Sequence, residues 1–191
     1  NTTHYRERDE MVVIVLIVLL FLVCEYCDVV PVFYARKLTH ILSGVICLWI
    51  KHEPFLRGFV VLFASATIVK NWLFTPFRFA RRRDIGMSVF AVVVAVWAVF
   101  QLPYQWLKPV FFADPLAAVV GNIVVSPVWV HNKTVAGSVT VAIISYMSLP
   151  HVASHVHRCI LAVVLSVCEA FGGAFDNFTM FAVLAAYHTV T

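Results

Sequence analysis

Eight apolar runs joined by short polar turns constrain this chain more than any single motif does. They cover about Met11–Cys27, a second run that takes in Ala35–Gly44 and ends near Ile50, then Phe55–Phe74, Ile85–Leu102, Val110–Val125, Ser138–Leu149, Val156–Ala170 and Phe175–Val190. Runs this long and apolar are expected to be helices, because lipid leaves backbone N–H and C=O groups no partner outside their own segment. Several fall short of the roughly 20 residues a free-standing span needs, so tilt and flanking polar residues have to complete the crossing. Composition agrees: 62% of the 191 residues are apolar and 13% charged, against about half and about a quarter in soluble domains. The expected fold class is all-α, a polytopic transmembrane bundle of about eight spans. A polar tail over residues 1–10 would precede a single domain over 11–191.

The formal charge of +4 suits anionic headgroups or phosphates, and no stripe of the nucleic-acid-binding kind is present, so no nucleic-acid partner is expected. Eight spans put the loops on alternate sides. One side collects Arg36, Lys37, the Arg78–Arg83 cluster, the Lys133 loop and the Glu169–Asn177 turn. The other holds both termini and the turns near Lys51, Lys108 and Arg158. With Lys70 assigned to the first side, eight of the fourteen Lys and Arg fall there, which makes it the expected cytoplasmic face. The five cysteines, including the Cys24/Cys27 CxxC pair, sit in or beside apolar runs and read as packing thiols. His151, His155 and His157 lie on the opposite face without an acidic companion and read as an interfacial loop.

Within the second run, Arg36, Lys37, Thr39, His40, Ser43 and Gly44 fill an arc of roughly 160° when wound at about 100° per residue. Leu38, Ile41, Leu42 and Val45 take the remainder. A polar stripe inside a lipid-embedded chain must face protein or water, and marks a functional site by default.

Three further groups fall on the same side. Asp114 is an acid within an otherwise apolar run, and the following Pro115 predicts a locally unwound backbone and a span that is either broken or enters a polar cavity. It reads as a magnesium ligand, as a base for a hydroxyl nucleophile, or as a carboxylate paired with a cation such as Arg36. In the second group Lys133 offers a point charge, Gly137 close backbone approach, and Ser138 a cap for the next helix. That set suits an anion at a helix N-terminus, or equally an ordinary capped loop. In the third, Glu169 and Asp176 flank a Gly-Gly turn and could share Mg²⁺ with substrate phosphates, or Asp176 could simply cap the last helix.

Taken in order, these segments resemble the phytol kinase and CTP-dependent polyprenol kinase family. Ala35-Arg36-Lys37-Leu38-Thr39-His40-Ile41-Leu42-Ser43-Gly44 is similar to its R-K-x-x-H-x-x-S-G segment. Asp114 to Gly121 resembles its D-x-x-A-x-x-x-G segment, and Lys133-Thr134-Val135-Ala136-Gly137-Ser138 its K-[ST]-x-x-G-S loop. Glu169, Asp176 and Asn177 are similar to its E…DN ending. The chain departs from that pattern at Asn122, where Arg is usual, and at Phe175, where a second acid is common.

The resemblance implies a membrane kinase that moves the terminal phosphate of a nucleotide, usually CTP, to an isoprenoid alcohol such as phytol, farnesol or a polyprenol. Asp114, Lys133 and Asp176 would be catalytic. Arg36, Lys37, His40, Thr134, Gly137, Ser138 and Asn177 would hold nucleotide or phosphate, and Asp114, Glu169 and Asp176 would bind Mg²⁺. The expected location is a multi-pass membrane protein, of the endoplasmic reticulum or plastid in a eukaryote and of the cytoplasmic membrane in a bacterium. Two rival readings are a CTP-using diacylglycerol kinase or phosphatidate cytidylyltransferase-like enzyme, and a non-enzymatic anion or lipid transporter with the same basic lining.

Overall fold

A computed structural model describes residues 2–50 and 53–190, with the side chains of 2–10, 13 and 17 outside the description. Among the described residues, each of the eight apolar runs forms one helix: α1 Thr2–Tyr26, α2 Val32–Ile50, α3 Pro54–Leu73, α4 Ile85–Val99, α5 Lys108–Ile123, α6 Val135–Ser148, α7 His155–Gly172 and α8 Asp176–Val190. Because α1 begins at Thr2, its backbone takes in the stretch read as a polar tail. Lys51 and His52, part of the expected turn after α2, lie outside the described residues. Among the described residues, two segments are long and apolar enough to cross a membrane, Pro54–Leu73 and the stretch His155–Val190 shared by α7 and α8.

Local signals set the helix ends. The side chains of Asp84, Thr134 and Ser154 accept the backbone N–H of Met87, Gly137 and His157, each satisfying one of the orphan donors of a first turn. Pro54 and Pro109 stand in the first turns of α3 and α5, where a missing N–H costs nothing. At the end of α7, Gly173 takes a φ of 56°, open to glycine at little cost, and the chain turns into α8.

Two sequence expectations are corrected. The first concerns α5, which runs unbroken from Lys108 to Ile123 with Pro115 inside it. Proline removes a bond to the carbonyl four residues back and costs about 3 kcal/mol in a helix interior. Val110, Phe111, Ala113 and Ala117 are buried around it, and fully burying a Val or Phe side chain contributes about 1.5–3 kcal/mol each, so packing on α2 and α6 outweighs that loss. The second concerns the segment after α5. In place of an open loop, Val128–Val130 (β1) and Lys133–Thr134 (β2) pair antiparallel, with Val128 opposite Thr134 and Val130 opposite Lys133. His131 turns the hairpin at a φ of 48°.

The helices pack in the order the chain brings them: α3 on α4, α6 on α7, and α5 between α2 and α6. Where α2 crosses α5, Gly44 leaves room for Phe111; a Cβ there would lie 2.5 Å from the phenylalanine Cβ. The same carbonyl region accepts the Tyr104 hydroxyl at 2.7 Å on Gly44 O. Gly44→Ala is expected to destabilise the protein by about 1–3 kcal/mol through overpacking, read as a lowered midpoint in detergent thermal unfolding. An unchanged midpoint would contradict the crossing.

All five cysteines are free thiols; Cys24 and Cys47 are buried as packing thiols, Cys27 and Cys168 are half-buried, and Cys159 is exposed, against the packing role expected of it. His151, His155 and His157 do not gather on one another. His155 meets Tyr146, His157 meets Tyr187, and His151 meets His188.

Candidate active site

The polar stripe of α2 faces inward, onto a cavity of about 510 Å³. Its polar end is lined by Arg36, Lys37, His40, Arg81, Asp84, Asp114, Lys133, Asp176 and Asn177, and the rest mainly by apolar side chains of α1 to α4, with the hydroxyl residues Thr39, Ser43 and Thr67 among them. Groups between 36 and 177 in the sequence thus converge at one place. The turns α1–α2, α3–α4, α5–α6 and α7–α8 supply or adjoin them, as alternation of the loops predicts.

At the centre stand three carboxylates. Asp114 from the middle of α5, Glu169 from the last turn of α7 and Asp176 from the first turn of α8 are all buried, and one oxygen from each lies within 4.8 Å of the others. Two ammonium groups neutralise part of this charge. Lys37 Nζ reaches Asp114 at 3.2 and 3.5 Å, and Lys133 pairs with Glu169 and lies 3.8 Å from Asp176. With every group ionised, three negative charges face two positive ones, so the cluster retains one negative charge for a cation. Lys133 sits in the hairpin, where burial alone would push its ammonium down; Glu169, Asp114 and Asp176 together hold it above its ordinary value, so it remains charged.

Two buried polar atoms at this site have no hydrogen-bond partner: Asn177 Oδ1 and His40 Nε2. Asn177 donates through Nδ2 to Asp176 Oδ1 at 3.0 Å, so its free carbonyl oxygen belongs to the same cluster. Native proteins rarely leave such atoms unmatched, and a ligand commonly explains the exceptions. Carboxylate and amide oxygens are the donor set that hard divalent cations such as Mg²⁺ take, alongside substrate phosphates. The residues therefore fit Mg²⁺, with Asp114, Glu169 and Asp176 as its holders.

The pairing of Arg36 differs from the one considered from sequence. It lies on Asp84, not Asp114, with Nη1 to Oδ2 at 2.5 Å and Nη2 to Oδ1 at 3.1 Å. Asp84 was missed by the sequence reading, although an Asp immediately before an apolar run is an N-cap signal. It is held in turn by Asn71, whose side chain bonds both the N–H and the C=O of Asp84. Burial would raise the Asp84 carboxyl, but hydrogen bonds from Arg36 and from the Met87 and Arg81 N–H groups win and leave it below its ordinary value. A depressed folded value contributes stability above the unfolded value, near pH 3.8, and that contribution is lost as pH falls through the folded one. Wild type is thus expected to melt above Asp84→Asn at pH 6, with the gap closing below about pH 4. A gap independent of pH would refute it.

Another unforeseen residue is Arg78. Its guanidinium donates to the C=O of Cys24, Cys27 and Val30, and its N–H donates to Glu25 at 2.7 Å. It thereby caps the C-terminal carbonyls of α1 and fastens the α1–α2 turn beside the cavity mouth. Nothing in the local pattern distinguishes it from Arg81, Arg82 and Arg83.

Thr134, Gly137 and Ser138 stand apart from the cluster and do not line the cavity. Thr134, not Ser138, caps α6. Ser138 Oγ accepts the Trp129 indole N–H at 2.9 Å, which ties the hairpin to α6. Gly137 serves close helix packing: a Cβ there would lie 3.2 Å from Ala117 O. In the structure they build the turn and helix start that place Lys133.

No protein-family model, curated protein or solved structure matches the chain.

Proposed function

We propose that the protein is a membrane-embedded kinase that transfers the terminal phosphoryl group of a nucleotide, CTP as first choice, to an isoprenoid alcohol. The observation that carries this reading is the buried Asp114–Glu169–Asp176 cluster with Lys37 and Lys133, opening on a cavity whose remaining walls are mostly apolar. Such a cavity suits a molecule with one polar end and one hydrocarbon tail. Phosphoryl transfer asks a protein chiefly for positioning and for neutralisation of phosphate charge. Lys133 and Lys37 supply cations, and Arg36 and Arg81 border the same space.

Asp114, at the junction of polar and apolar walls beside His40, orients the hydroxyl and takes its proton as oxygen attacks the terminal phosphorus. The bond from that phosphorus to the bridging oxygen breaks, leaving the nucleoside diphosphate and a prenyl phosphate. Mg²⁺ held by Asp114, Glu169 and Asp176 would neutralise the phosphate oxygens.

The eight helices are read as eight spans in a multi-pass arrangement. Supporting this, large apolar side chains face outward around the bundle, among them Leu62 on α3, Val92 on α4, Ile143 on α6 and Val163 on α7. A soluble monomer rarely exposes so extensive an apolar surface. Shorter helices such as α4 and α6 would cross with tilt or local thinning.

Purified protein with CTP, Mg²⁺ and a prenol is expected to yield a prenyl monophosphate and CDP. Formation of a CDP-lipid with pyrophosphate, or flux across vesicles without any phosphorylated product, would replace the kinase reading with one of its rivals.

A further inference from the structure

The helices that carry Glu169 and Asp176 bring two imidazoles together at their other ends, from positions 37 residues apart. His151 lies in the turn between α6 and α7, and His188 in the last turn of α8. Their Nε2 atoms stand 3.0 Å from one another, with the ring planes 27° apart. We infer that this pair is a binding site for a divalent transition metal, Cu²⁺ or Ni²⁺ first and Zn²⁺ next, separate from the carboxylate cluster and independent of the kinase reading.

Both rings are held in place by the protein itself. His188 stacks on Trp106, with centroids 5.6 Å and planes 6° apart, and Tyr187 meets it edge-on at 5.4 Å. The turn that bears His151 is fixed on either side. Leu149 and Val152 are buried in the main core, and the Arg158 guanidinium donates to the C=O of Pro150 and of Val152. His151 itself is exposed, within reach of an ion from solution. Ligands oriented by their surroundings bind a metal without the cost of ordering them first.

The spacing selects the class of metal. Imidazole suits Cu²⁺, Ni²⁺ and Zn²⁺, whereas Mg²⁺ takes oxygen. With metal–nitrogen bonds of about 2.0–2.1 Å, adjacent nitrogens of a square-planar ion lie about 2.9 Å apart, and those of a tetrahedral ion about 3.3 Å. The observed 3.0 Å matches the first arrangement and needs a slight opening for the second. In the metal-free pair one ring holds its proton on Nε2. On binding, that proton moves to Nδ1 of the same ring, so both Nε2 lone pairs face the ion.

Among the described residues no third His, Cys or carboxylate completes the set, so water fills the remaining positions. Lys108 and Arg158 lie near enough to disfavour a proton on His151, which keeps its lone pair free. The same two charges oppose a divalent ion and hold its affinity below that of a full structural site. His155 and His157 are each engaged by a tyrosine, Tyr146 and Tyr187, and stand outside the pair.

The test titrates the untagged full chain in detergent with Cu²⁺ near neutral pH, with millimolar Mg²⁺ present to occupy the carboxylate cluster. Calorimetry is expected to show one equivalent that Ni²⁺ and Zn²⁺ compete for. Electron paramagnetic resonance of the wild type should show splitting from two imidazole nitrogens, a readout that needs no variant to fold. His151→Ala and His188→Ala are each expected to weaken binding at least tenfold, and His155→Ala and His157→Ala to leave it unchanged. Copper held by oxygen alone, equal losses across all four variants, or no saturable equivalent would overturn the site. None of these outcomes depends on phosphorylation, so the kinase reading and this one fail separately.

Discussion

Asp114→Asn is expected to lower turnover at least about a hundredfold, the usual loss when a group aimed at developing charge is removed. The carboxylate is buried in α5 and touches Lys37 and His40 from α2. It also lies within ligand distance of Glu169 and Asp176. Removing its charge withdraws a metal oxygen, the partner of Lys37 and the acceptor nearest the hydroxyl position, all at once. Membrane insertion should persist, since the apolar surface that drives it is untouched. Initial rates with CTP and a fifteen-carbon prenol, alongside membrane-fraction yield, check this. A wild-type rate in the variant would take Asp114 out of the site.

Lys133→Ala is expected to be equally severe, and to cost stability as well. Glu169 is 2% exposed, so loss of its cation leaves a carboxylate buried without compensation. Breaking a buried pair on one side costs on the order of 3 kcal/mol. The double variant Lys133→Ala with Glu169→Gln removes the orphaned charge, and should recover most of the melting temperature without recovering turnover. Recovery of both would make Lys133 a structural cation only, and the phosphate reading would fall with it.

Much of the helical framework could be read from the chain. The run Phe55–Phe74 became a helix over Pro54–Leu73, because proline and the apolar length mark both ends. The fourth run was drawn to Leu102, but α4 stops at Val99 and Gln101 turns with a φ of 51°. An apolar stretch does not announce where a positive φ will interrupt it. Likewise, the convergence of Lys37, Asp114, Lys133, Glu169 and Asp176 was foreshadowed by loop alternation, which assigns polar groups to one end or the other.

Pairing was not legible. Arg36 and Lys37 are adjacent, and at about 100° apart on a helix only one of them can face a given neighbour. Which one meets Asp114 depends on how α2 is rotated against α5, a tertiary quantity. Asp84 stands forty-eight residues from Arg36, and its role as a cap hid its role as a partner. The Pro115 expectation failed for a related reason: local backbone preference was overruled by burial on two sides.

The adjacent pairs of α2 carry a mechanical meaning beyond their charge. Arg36 is pinned to the start of α4 and Lys37 to the middle of α5, along directions about a quarter of a turn apart. A rod tied at one point can roll about its axis; tied at two neighbouring points to two different supports, it cannot. His40, one turn further along, therefore keeps a fixed bearing on Asp114, with its Nδ1 3.4 Å from Oδ2. Asp84, which lies outside the carboxylate cluster, thereby helps to aim the side chains of α2 at it.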